Sequence, residues 1–548
     1  MNPFNKGYIA DIEIKNRFVM APMISNLCNI DGTTNENHIQ YLEDRAKGGF
    51  GLIITEYSYV DEINGKGSPN QMGIFSMSQV PKLSRLTERI HDHGTRIFAQ
   101  LVHAGGKANP LYNSFNIMAP SSKNYMGNYP AEMSIDDIHR IEDKFVKAAE
   151  IASLAGFDGI ELHGAHGYLL HEFLSPALNT RNDAYGGSLE NRVKIINEIV
   201  SRIKKSTDIA VGIRLSLYED EPDGYQAEYT TEVINNLKGI DYFHLSAGRN
   251  SPPGSSASFY WEHNHILAKL KDKIDKKIMM VGSIINPEDM QKAIDKVDFI
   301  ALGRQALADP HTPFNISNNK PLRPCIRCNQ ACRNLSTSEV RCTVNPDTGI
   351  EATLHQRHKF NDEISIVGAG IKGLEAAVYA ISLGFKPAIY EKATIGGQFN
   401  EINDPYKMKD FGALLNYYSS VLYENKVEII NENCQNGIMC LPDVVYPDIT
   451  AKGDIAINTN IYRYFDDALK LAENNSVAIS TRSLKSLERS RSLYYKKIAE
   501  KAGIKFADSD HYDIDIFEQR QYDIGAAMRS GRNAINNFIA ENYGIFKP

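Results

Sequence analysis

The chain has 548 residues, of which 42% are hydrophobic and 23% charged, and its formal net charge is −7. This length predicts two or three domains, and this composition is typical of a soluble globular protein. The negative charge and the lack of a basic tract give no reason to expect nucleic-acid binding, and no run approaches the roughly 18 apolar residues of a membrane helix. Residues 1–18 lack the features of a signal peptide, so we expect a cytoplasmic protein without a membrane partner.

Residues 1–310 contain eight short, β-branched runs that end in small or polar residues, with helix-like stretches between most of them. This alternation predicts an α/β fold, and eight repeats predict a (β/α)₈ TIM barrel. In such a barrel the chemistry gathers at the carboxyl ends of the strands. The predicted strands are residues 17–23, 50–56, 96–103, 159–164, 210–216, 242–248, 278–283 and 299–304.

Small residues and one cation end the last two predicted strands: Gly282, Ser283, Gly303 and Arg304. TIM barrels commonly bind a phosphate at this place, but small residues also serve barrel closure, so both interpretations stay open. With a phosphate there, Gln100 and Arg214 at the ends of the third and fifth strands would face a flavin ring. An amide can bond its pyrimidine edge, and an arginine can stabilise negative charge on the reduced ring.

Four of the seven cysteines lie close together, at Cys325, Cys328, Cys332 and Cys342. In a reducing compartment such clustering indicates a metal site rather than disulfides, and four thiolates suit zinc or an iron–sulfur cluster. A zinc ribbon favours two separated pairs, whereas here three cysteines share one short loop. The spacing therefore favours a [4Fe–4S] cluster, and the other three cysteines are predicted to be ordinary buried thiols.

A nucleotide-binding unit is predicted to begin near Asn361, where the sequence reads strand, glycine turn, helix and strand. Gly368, Gly370 and Gly373 form a G-x-G-x-x-G turn that allows backbone to approach a pyrophosphate. Glu391 ends the next strand, where it can accept a hydrogen bond from a ribose hydroxyl. Residues 396–398 offer further backbone for phosphate binding. The alternative interpretation of the whole unit is a glycine turn that binds no ligand.

Beyond residue 430 the pattern weakens to another strand, helix and strand without a glycine-rich turn, and a final helix over 526–543. We therefore predict three parts. Residues 1–318 form the barrel, residues 319–360 form the iron–sulfur segment and linker, and residues 361–548 form a reduced Rossmann-like domain.

Assembled in chain order, these motifs resemble the Old Yellow Enzyme superfamily. They most resemble its long, multi-cofactor branch, which contains 2,4-dienoyl-CoA reductase, trimethylamine dehydrogenase and the bile-acid enoate reductases. The matching stretches run from about residue 14 to 400 and include "KNRFVMAPM", "RAKGGFGLIITE", "AQLVHAGGKA", "GFDGIELHGAHGYLLHEFLSPALNTRNDAYGGSLENR", "ALGRQALADP", "CIRCNQAC" and "VGAGIKGLEAA".

The resemblance implies three cofactors. A [4Fe–4S] cluster would be bound by the four clustered cysteines, and FAD or a redox-silent ADP by the glycine-rich unit, including Gly397 and Gln398. The third is FMN in the barrel mouth, in contact with Pro22, Gln100, Arg214, Gly282, Ser283, Gly303 and Arg304.

The resemblance also assigns roles to the stretch "HGAHGY". His163 and His166 would hold the substrate carbonyl while FMN N5 passes hydride to the β-carbon, and Tyr168 would supply the α-proton. Two donors stabilise charge on the carbonyl oxygen, and a tyrosine stays protonated at neutral pH.

Two departures from the family pattern matter. Ile24 stands where some members have a cysteine, and Cys28 is four residues late, so no covalent flavin is predicted. The glycine-rich turn of an NAD(P)H subdomain is also missing, because Thr481 to Ser486 stand where we expect a pyrophosphate turn. Nearby arginines could meet a phosphate, but a solvated helix face is the favoured interpretation for Arg482, Arg489 and Arg491.

Two enzymatic hypotheses follow, each with a small-molecule substrate. The first is an ene-reductase that reduces a C=C bond conjugated to a carbonyl, with electrons from NAD(P)H or a redox protein relayed through FAD and the cluster to FMN. The second is an amine dehydrogenase or demethylase that passes electrons to a protein acceptor. Residues 259–261 could form an aromatic cage for an amine or a substrate lid. A non-catalytic partner subunit is the third and least favoured hypothesis, and homo-oligomers are an expectation from the family alone.

Overall fold

Eight parallel strands of the computed structural model close into a barrel. The eighth of these strands pairs with the first, which closes the ring through a register that places Ile300 opposite Phe18. Every predicted strand contains one observed strand, so the predicted TIM barrel is confirmed. The strands are β1 (Phe18–Met20), β2 (Leu52–Ile54), β3 (Arg96–Val102), β4 (Gly159–Gly164), β5 (Ala210–Ser216), β6 (Tyr242–Ser246), β7 (Ile278–Val281) and β8 (Phe299–Leu302).

The structure describes residues 1–113, 116–125, 127–249, 265–270, 274–335, 338–356, 358–402, 404–487, 489–518 and 523–544. Short strand pairs accompany the barrel: Gly7–Ile9 with Ile12–Ile14, Met118–Ala119 with Ala131–Glu132, and Ser58–Tyr59 with β3. Single 3₁₀ turns span Met77–Gln79, Gly105–Lys107, Pro110–Tyr112, Ala331–Arg333, Glu351–Gln356 and Gly397–Glu401.

Helices follow the strands in both parts of the chain. In the barrel part they are α1 (Glu36–Lys47), α2 (Val80–His91), α3 (Ile135–Leu154), α4 (Leu169–Leu174), α5 (Leu189–Ser206), α6 (Ala227–Asn236), α7 (His265–Lys269), α8 (Pro287–Ile294), α9 (Arg304–Ala308) and α10 (Thr312–Ser317). The later part contains α11 (Ile371–Ser382), α12 (Pro405–Glu424), α13 (Tyr462–Leu471), α14 (Thr481–Ser486), α15 (Arg489–Lys501) and α16 (Ile524–Tyr543).

Helix α3 shows how the local sequence determines the outer layer of the barrel. Ser134 and Asp137 form a capping box that satisfies backbone N–H groups at its first turn. Ile138, Ile141 and Phe145 recur at helical spacing and are fully buried. Because these side chains share one face of the helix, that face packs against the barrel and the charged face remains in solvent.

The later part contains two four-stranded parallel sheets of identical strand order. The first, β11-β10-β9-β12, consists of β9 (Glu363–Val367), β10 (Lys386–Tyr390), β11 (Ile429–Ile430) and β12 (Ile438–Met439). The second, β15-β14-β13-β16, consists of β13 (Asp454–Thr459), β14 (Ser476–Ile479), β15 (Lys505–Phe506) and β16 (Ile514–Ile516). The predicted Rossmann-like fold is confirmed, and in it the 3-2-1-4 order typical of mononucleotide-binding halves occurs twice.

The position expected for the second pyrophosphate turn was wrong. The turn that corresponds to the glycine turn of the first sheet lies between β13 and α13, at 460–461, whereas 481–486 form helix α14. The sequence did not reveal strand β13, because no glycine marks its end. The turn was therefore expected after β14 instead of after β13.

Buried ion pairs join the two parts of the chain. Arg323, which follows the barrel, and Arg532 on α16 both donate to the carboxylate of Glu375 on α11, at 2.9 and 2.8 Å. Arg327 pairs with Asp410 on α12. None of the helices in the described ranges is long and apolar enough to cross a membrane. The domain boundaries at residues 318 and 360 remain predictions.

Candidate active site

A cavity of about 520 Å³ opens at the carboxyl ends of the barrel strands. This volume lies within the range of ligand and cofactor pockets. The structure brings most of the predicted barrel residues together in its wall: Pro22, His163, His166, Tyr168, Arg214, Gly282, Ser283, Gly303 and Arg304. Gln100 is fully buried and lies outside the lining.

Strand β4 and the loop after it carry one cluster of three side chains. His163 lies near the end of β4, and His166 and Tyr168 lie in the loop between β4 and α4. The His163 ring centroid lies 5.3 Å from that of His166 and 4.8 Å from that of Tyr168. The Ala165 N–H donates to Nδ1 of His163, which leaves the proton of a neutral ring on Nε2. His166 has a left-handed backbone, with a φ of 59°, and its Nε2 lies 2.7 Å from the Ser246 hydroxyl.

The electrostatic environment sets the protonation of this cluster. Burial, reinforced by the nearby Arg214 cation, holds the pKa of both histidines well below the ordinary value. Burial and the neighbouring Tyr57 hold the pKa of Tyr168 well above its ordinary value. At neutral pH the site therefore presents neutral imidazoles and a protonated phenol.

A polar network that the sequence did not reveal lies beneath the cavity. The buried Glu161 carboxylate accepts hydrogen bonds from Gln100 Nε2 at 2.7 Å and from the Tyr242 hydroxyl at 2.9 Å, and lies 2.9 Å from His244 Nδ1. Burial alone would raise the pKa of Glu161, but His244 and Arg214 hold it below the ordinary value. Glu161 ends no predicted turn or motif, so only its spatial neighbours identify it.

Two atoms of this region test whether a flavin fits. Gln100 Oε1 and Arg214 Nε are buried, and within the described part of the chain neither atom has a hydrogen-bond partner. Buried polar atoms are normally paired. The unpaired acceptor and the unpaired donor at this place therefore indicate a polar ligand that offers a donor to the first and an acceptor to the second. The imide edge of a flavin has that pattern, and the residues present therefore fit the FMN that the resemblance implies.

The end of the cavity formed by β7 and β8 has the features of an anion site. Gly282 and Ser283 have φ values of 155° and 51°, and the second is a left-handed conformation that few serines adopt. Arg304 Nη2 donates to the Ser283 hydroxyl at 3.1 Å, and Nη1 donates to Asn329 in the cysteine segment at 2.7 Å. Barrel closure alone does not require the strained serine, so these contacts favour the phosphate interpretation.

Lys107 adds a positive charge that the sequence analysis missed. Its Nζ donates to the carbonyl of His166 at 2.9 Å and lies 4.7 Å from the centroid of the Tyr168 ring. Burial lowers the pKa of Lys107 to about 8, so the ammonium form still prevails at neutral pH. In the sequence, the only sign that Lys107 belongs to the site is its position in "HAGGKA", the stretch that directly follows β3.

The cysteine segment forms part of the wall of two cavities. Cys332 lines the barrel cavity, and Cys328 lines a second cavity in the nucleotide-binding part. Burial raises the pKa of Cys342, and the neighbouring Cys325, Cys332 and Cys328 raise it further, so the four thiols lie near one another. No three of these sulfurs lie within 4.8 Å of one another. A single zinc ion would hold them about 3.8 Å apart, so the wider spacing fits a multi-iron cluster better.

The second cavity, of about 430 Å³, lies at the glycine turn after β9. Gly373 permits the tight packing of this turn, because a Cβ there would lie 1.8 Å from the carbonyl oxygen of Gly368. Glu391 accepts from the Ala369 N–H at 2.7 Å. The predicted residues that line this cavity are Gly368, Gly370, Glu391, Gly397 and Gln398. This glycine cradle fits a dinucleotide such as FAD, or ADP.

The equivalent turn of the second sheet is filled by its own side chains. The Thr459 N–H donates to the Ser483 hydroxyl at 2.8 Å, and the Ile461 N–H donates to the Thr459 hydroxyl at 3.1 Å. The Asn460 amide bonds both backbone groups of Glu518, at 2.7 and 3.0 Å. Two backbone N–H groups of this turn, those of Thr459 and Ile461, therefore already have partners, and the Asn460 side chain is bound to Glu518.

The position of Arg491 contradicts the prediction that Arg482, Arg489 and Arg491 form a solvated helix face. The Arg491 side chain is 2% exposed, and Nη2 donates to the carbonyl of Cys328 at 2.8 Å. Arg482 is exposed and stacks on Phe517, and nothing is described for the side chain of Arg489. Phe259, Tyr260 and Trp261 lie outside the described residues, so the aromatic-cage hypothesis stays a prediction.

Comparison with known proteins gives one family. Residues 3–323 match the model of the NADH:flavin oxidoreductase / NADH oxidase family. The chain is 36% identical to the NADH oxidase of Thermoanaerobacter brockii over 418 residues, which are 72% of this chain and 64% of that protein. It is 34% identical to the cinnamate reductase of Clostridium sporogenes over 464 residues, 77% of this chain and 69% of that protein. The chain thus spans about two thirds of the length of these relatives.

Two solved structures share the whole architecture. A 2-naphthoyl-CoA reductase in complex with 2-naphthoyl-CoA superposes with a TM-score of 0.86 at 21% identity, over 97% of this chain and 99% of that one. Histamine dehydrogenase from Rhizobium sp. 4-9 superposes with a TM-score of 0.83 at 21% identity, over 97% and 96%. At such identity they establish the fold and leave the substrate open.

Proposed function

Because the chain belongs to the NADH:flavin oxidoreductase / NADH oxidase family, we propose that it is an FMN-dependent ene-reductase. Its substrate would carry a C=C bond conjugated to a carbonyl, and specifically to a carboxylate. The observation that carries the proposal is the composition of the barrel cavity: two neutral histidines, a protonated tyrosine and a lysine cation. The cinnamate reductase relative supports the same substrate class.

The residues of the cavity perform the reduction as follows. When bound, reduced FMN supplies the hydride for the β-carbon. The His163 Nε2–H donates to the carbonyl oxygen, where negative charge develops during the reaction. Tyr168 delivers its phenolic proton to the α-carbon. Ser246 bonds the ring of His166 and accepts a hydrogen bond from Arg214 Nη2 at 3.3 Å, and the buried Glu161 carboxylate attracts the same arginine.

Lys107 favours an anionic substrate over an amine. Its ammonium group lies against the Tyr168 ring, at the place where the reacting part of a substrate would lie. A second cation, Arg333, lines the same cavity. These charges attract a carboxylate and repel the ammonium group of an amine, so the amine dehydrogenase hypothesis is the less favoured one.

We infer the path of the electrons from the residues that line the two cavities. The cysteine segment contributes Cys332 to the barrel cavity and Cys328 to the nucleotide cavity, so a [4Fe–4S] cluster there would lie between FMN and FAD or ADP. The filled turn of the second sheet argues against NAD(P)H at that sheet. We therefore expect a redox protein as the donor.

Anaerobic stopped-flow measurements on flavin- and iron-replete protein test this proposal. Cinnamate should reoxidise the dithionite-reduced flavin, whereas trimethylamine and histamine should leave the oxidised flavin unbleached. Bleaching by an amine without reoxidation by cinnamate or crotonate would establish the amine hypothesis instead. NADH and NADPH should bleach the flavin slowly or not at all; rapid bleaching by either would overturn the proposed donor alone.

The role of Lys107 gives the substrate test a pH signature. Because its pKa is about 8, its charge is lost as the pH rises through that value, and KM for cinnamate should rise above it. Lys107→Met should raise KM at neutral pH by about tenfold or more, since a charge-assisted hydrogen bond is lost, and should abolish the pH dependence. Lys107→Arg should keep KM low at alkaline pH, and Lys123→Met is the control. An unchanged KM in Lys107→Met would exclude a carboxylate contact.

A further inference from the structure

A buried cluster of three ligand-type side chains lies outside the cavities described above. Cys28 lies in the loop between β1 and α1, His38 lies on α1, and Glu56 follows β2. The exposed fractions of these residues are 2%, 0% and 2%. One ligand atom from each side chain lies within 4.8 Å of the other two. A loop, a helix and a strand end that follow one another in the chain thus converge on one point.

The geometry of the cluster matches a mononuclear site. Cys28 Sγ lies 3.7 Å from Glu56 Oε1. Tetrahedral zinc with a Zn–S bond of about 2.3 Å and a Zn–O bond of about 2.0 Å separates these two ligands by about 3.5 Å. The four clustered cysteines have no such close set, so the two groups suit different metals.

The neighbours of the cluster hold the side chains in a fixed orientation. His38 Nδ1 lies 2.9 Å from the Thr34 hydroxyl. Glu56 accepts hydrogen bonds from the backbone N–H groups of Ser25 and Met72. Outer contacts of this kind orient the ligands of metal sites.

The buried imidazole of His38 has one nitrogen without the partner that a buried polar atom requires. His38 Nε2 is buried and has no hydrogen-bond partner among the residues that the structure describes. Leaving a nitrogen unpaired in a dry interior is unfavourable, so a partner is expected. A metal ion would supply that partner.

We propose that Cys28, His38 and Glu56 bind one divalent cation of the zinc type. The thiol loses its proton on binding, and the resulting thiolate and carboxylate balance the two positive charges around a neutral imidazole. The site joins the β1–α1 loop to α1 and to the end of β2. That loop also carries Pro22 and Ile24 of the barrel cavity, and Tyr57 follows Glu56, so the ion fixes one wall of the active site.

Metal analysis of the purified holoenzyme tests the site. Inductively coupled plasma mass spectrometry should find about one zinc per chain in the wild type, and Cys28→Ser and His38→Gln should each lose it. Flavin and iron contents, measured on the same samples, report whether a variant has folded. Cys434→Ser removes a thiol elsewhere and should keep the zinc.

Two further measurements separate a metal site from a buried water. Co²⁺ added to zinc-depleted protein should produce a thiolate-to-cobalt charge-transfer band that is absent in Cys28→Ser. Thr34→Val, which removes the contact to His38, should weaken zinc binding by about 10- to 100-fold. Wild-type protein with full flavin and iron but neither zinc nor a cobalt band would overturn the proposal, as would zinc that persists in both ligand variants.

Discussion

In the proposed reduction, the phenol of Tyr168 has to keep its proton until the substrate is in place. Burial and Tyr57 raise its pKa, so it remains a proton donor throughout the neutral range. Tyr168→Phe preserves the ring and removes the proton, and we expect reoxidation of reduced flavin by cinnamate to slow by about 10²- to 10⁴-fold. Anaerobic stopped-flow reoxidation measures this rate.

The matched control is Tyr112→Phe, which removes a hydroxyl from the same cavity and should leave the rate unchanged. The wild-type rate should show no histidine titration near pH 6.5, because both imidazoles stay neutral there. Fast reoxidation of Tyr168→Phe would mean that another group or water supplies the proton.

The residues of the site differ in how far the sequence predicted them. His163, His166 and Tyr168 lie within six residues, so their motif was visible and their convergence in the cavity was predicted. Glu161, Tyr242 and His244 come together from β4 and β6, and the bonds that join them span about 80 residues. No local pattern encodes such a contact, because it exists only when the barrel closes.

At the scale of elements, α15 completes a site that belongs to another sheet. It places Arg491 on the Cys328 carbonyl and Tyr495 on Lys407, whose Nζ lies 2.5 Å from the Tyr495 hydroxyl. Both Arg491 and Lys407 line the nucleotide cavity. The second Rossmann-like unit therefore serves the first cavity, while its own turn is filled.

Arg491→Met should make the proposed [4Fe–4S] cluster harder to reduce. Loss of a nearby positive charge favours the oxidised cluster, and we expect its midpoint potential to fall by an amount on the order of 59 mV, a tenfold change in a one-electron equilibrium. Redox titration followed by electron paramagnetic resonance measures the potential. Arg482→Met, on an exposed arginine of α14, should leave it unchanged. Equal potentials in both variants would show that Arg491 has only a packing role.

At the scale of the whole molecule, Glu375 holds the barrel part and the nucleotide part together. It is fully buried between Arg323 and Arg532, and the Tyr418 hydroxyl also donates to it at 2.8 Å. Burial alone would raise its pKa, but the two arginines hold it below the ordinary value. The stabilisation is therefore complete above the ordinary carboxylate range and is lost as the pH falls through the folded pKa.

Glu375→Gln leaves two buried guanidinium groups without their shared counterion. We expect a loss of about 3–5 kcal/mol and a melting transition lowered by about 3–4 °C in calorimetry of the holoenzyme. Glu363→Gln, on an exposed carboxylate of β9, is the control and should melt like the wild type. A melting temperature unchanged in Glu375→Gln would show that the interface depends on apolar packing alone.

The sequence alone determined the barrel, the Rossmann-like part and the resemblance to the Old Yellow Enzyme superfamily, which the family match and the relatives confirm. Strand runs, glycine turns and cysteine spacing are properties of short segments, because they follow from local backbone geometry and ligand reach. The tertiary structure decided the rest: the charge at Lys107, the filled turn at Asn460 and the burial of Arg491. These depend on desolvation and on partners far away in the chain, and distance along the sequence carries no information about either.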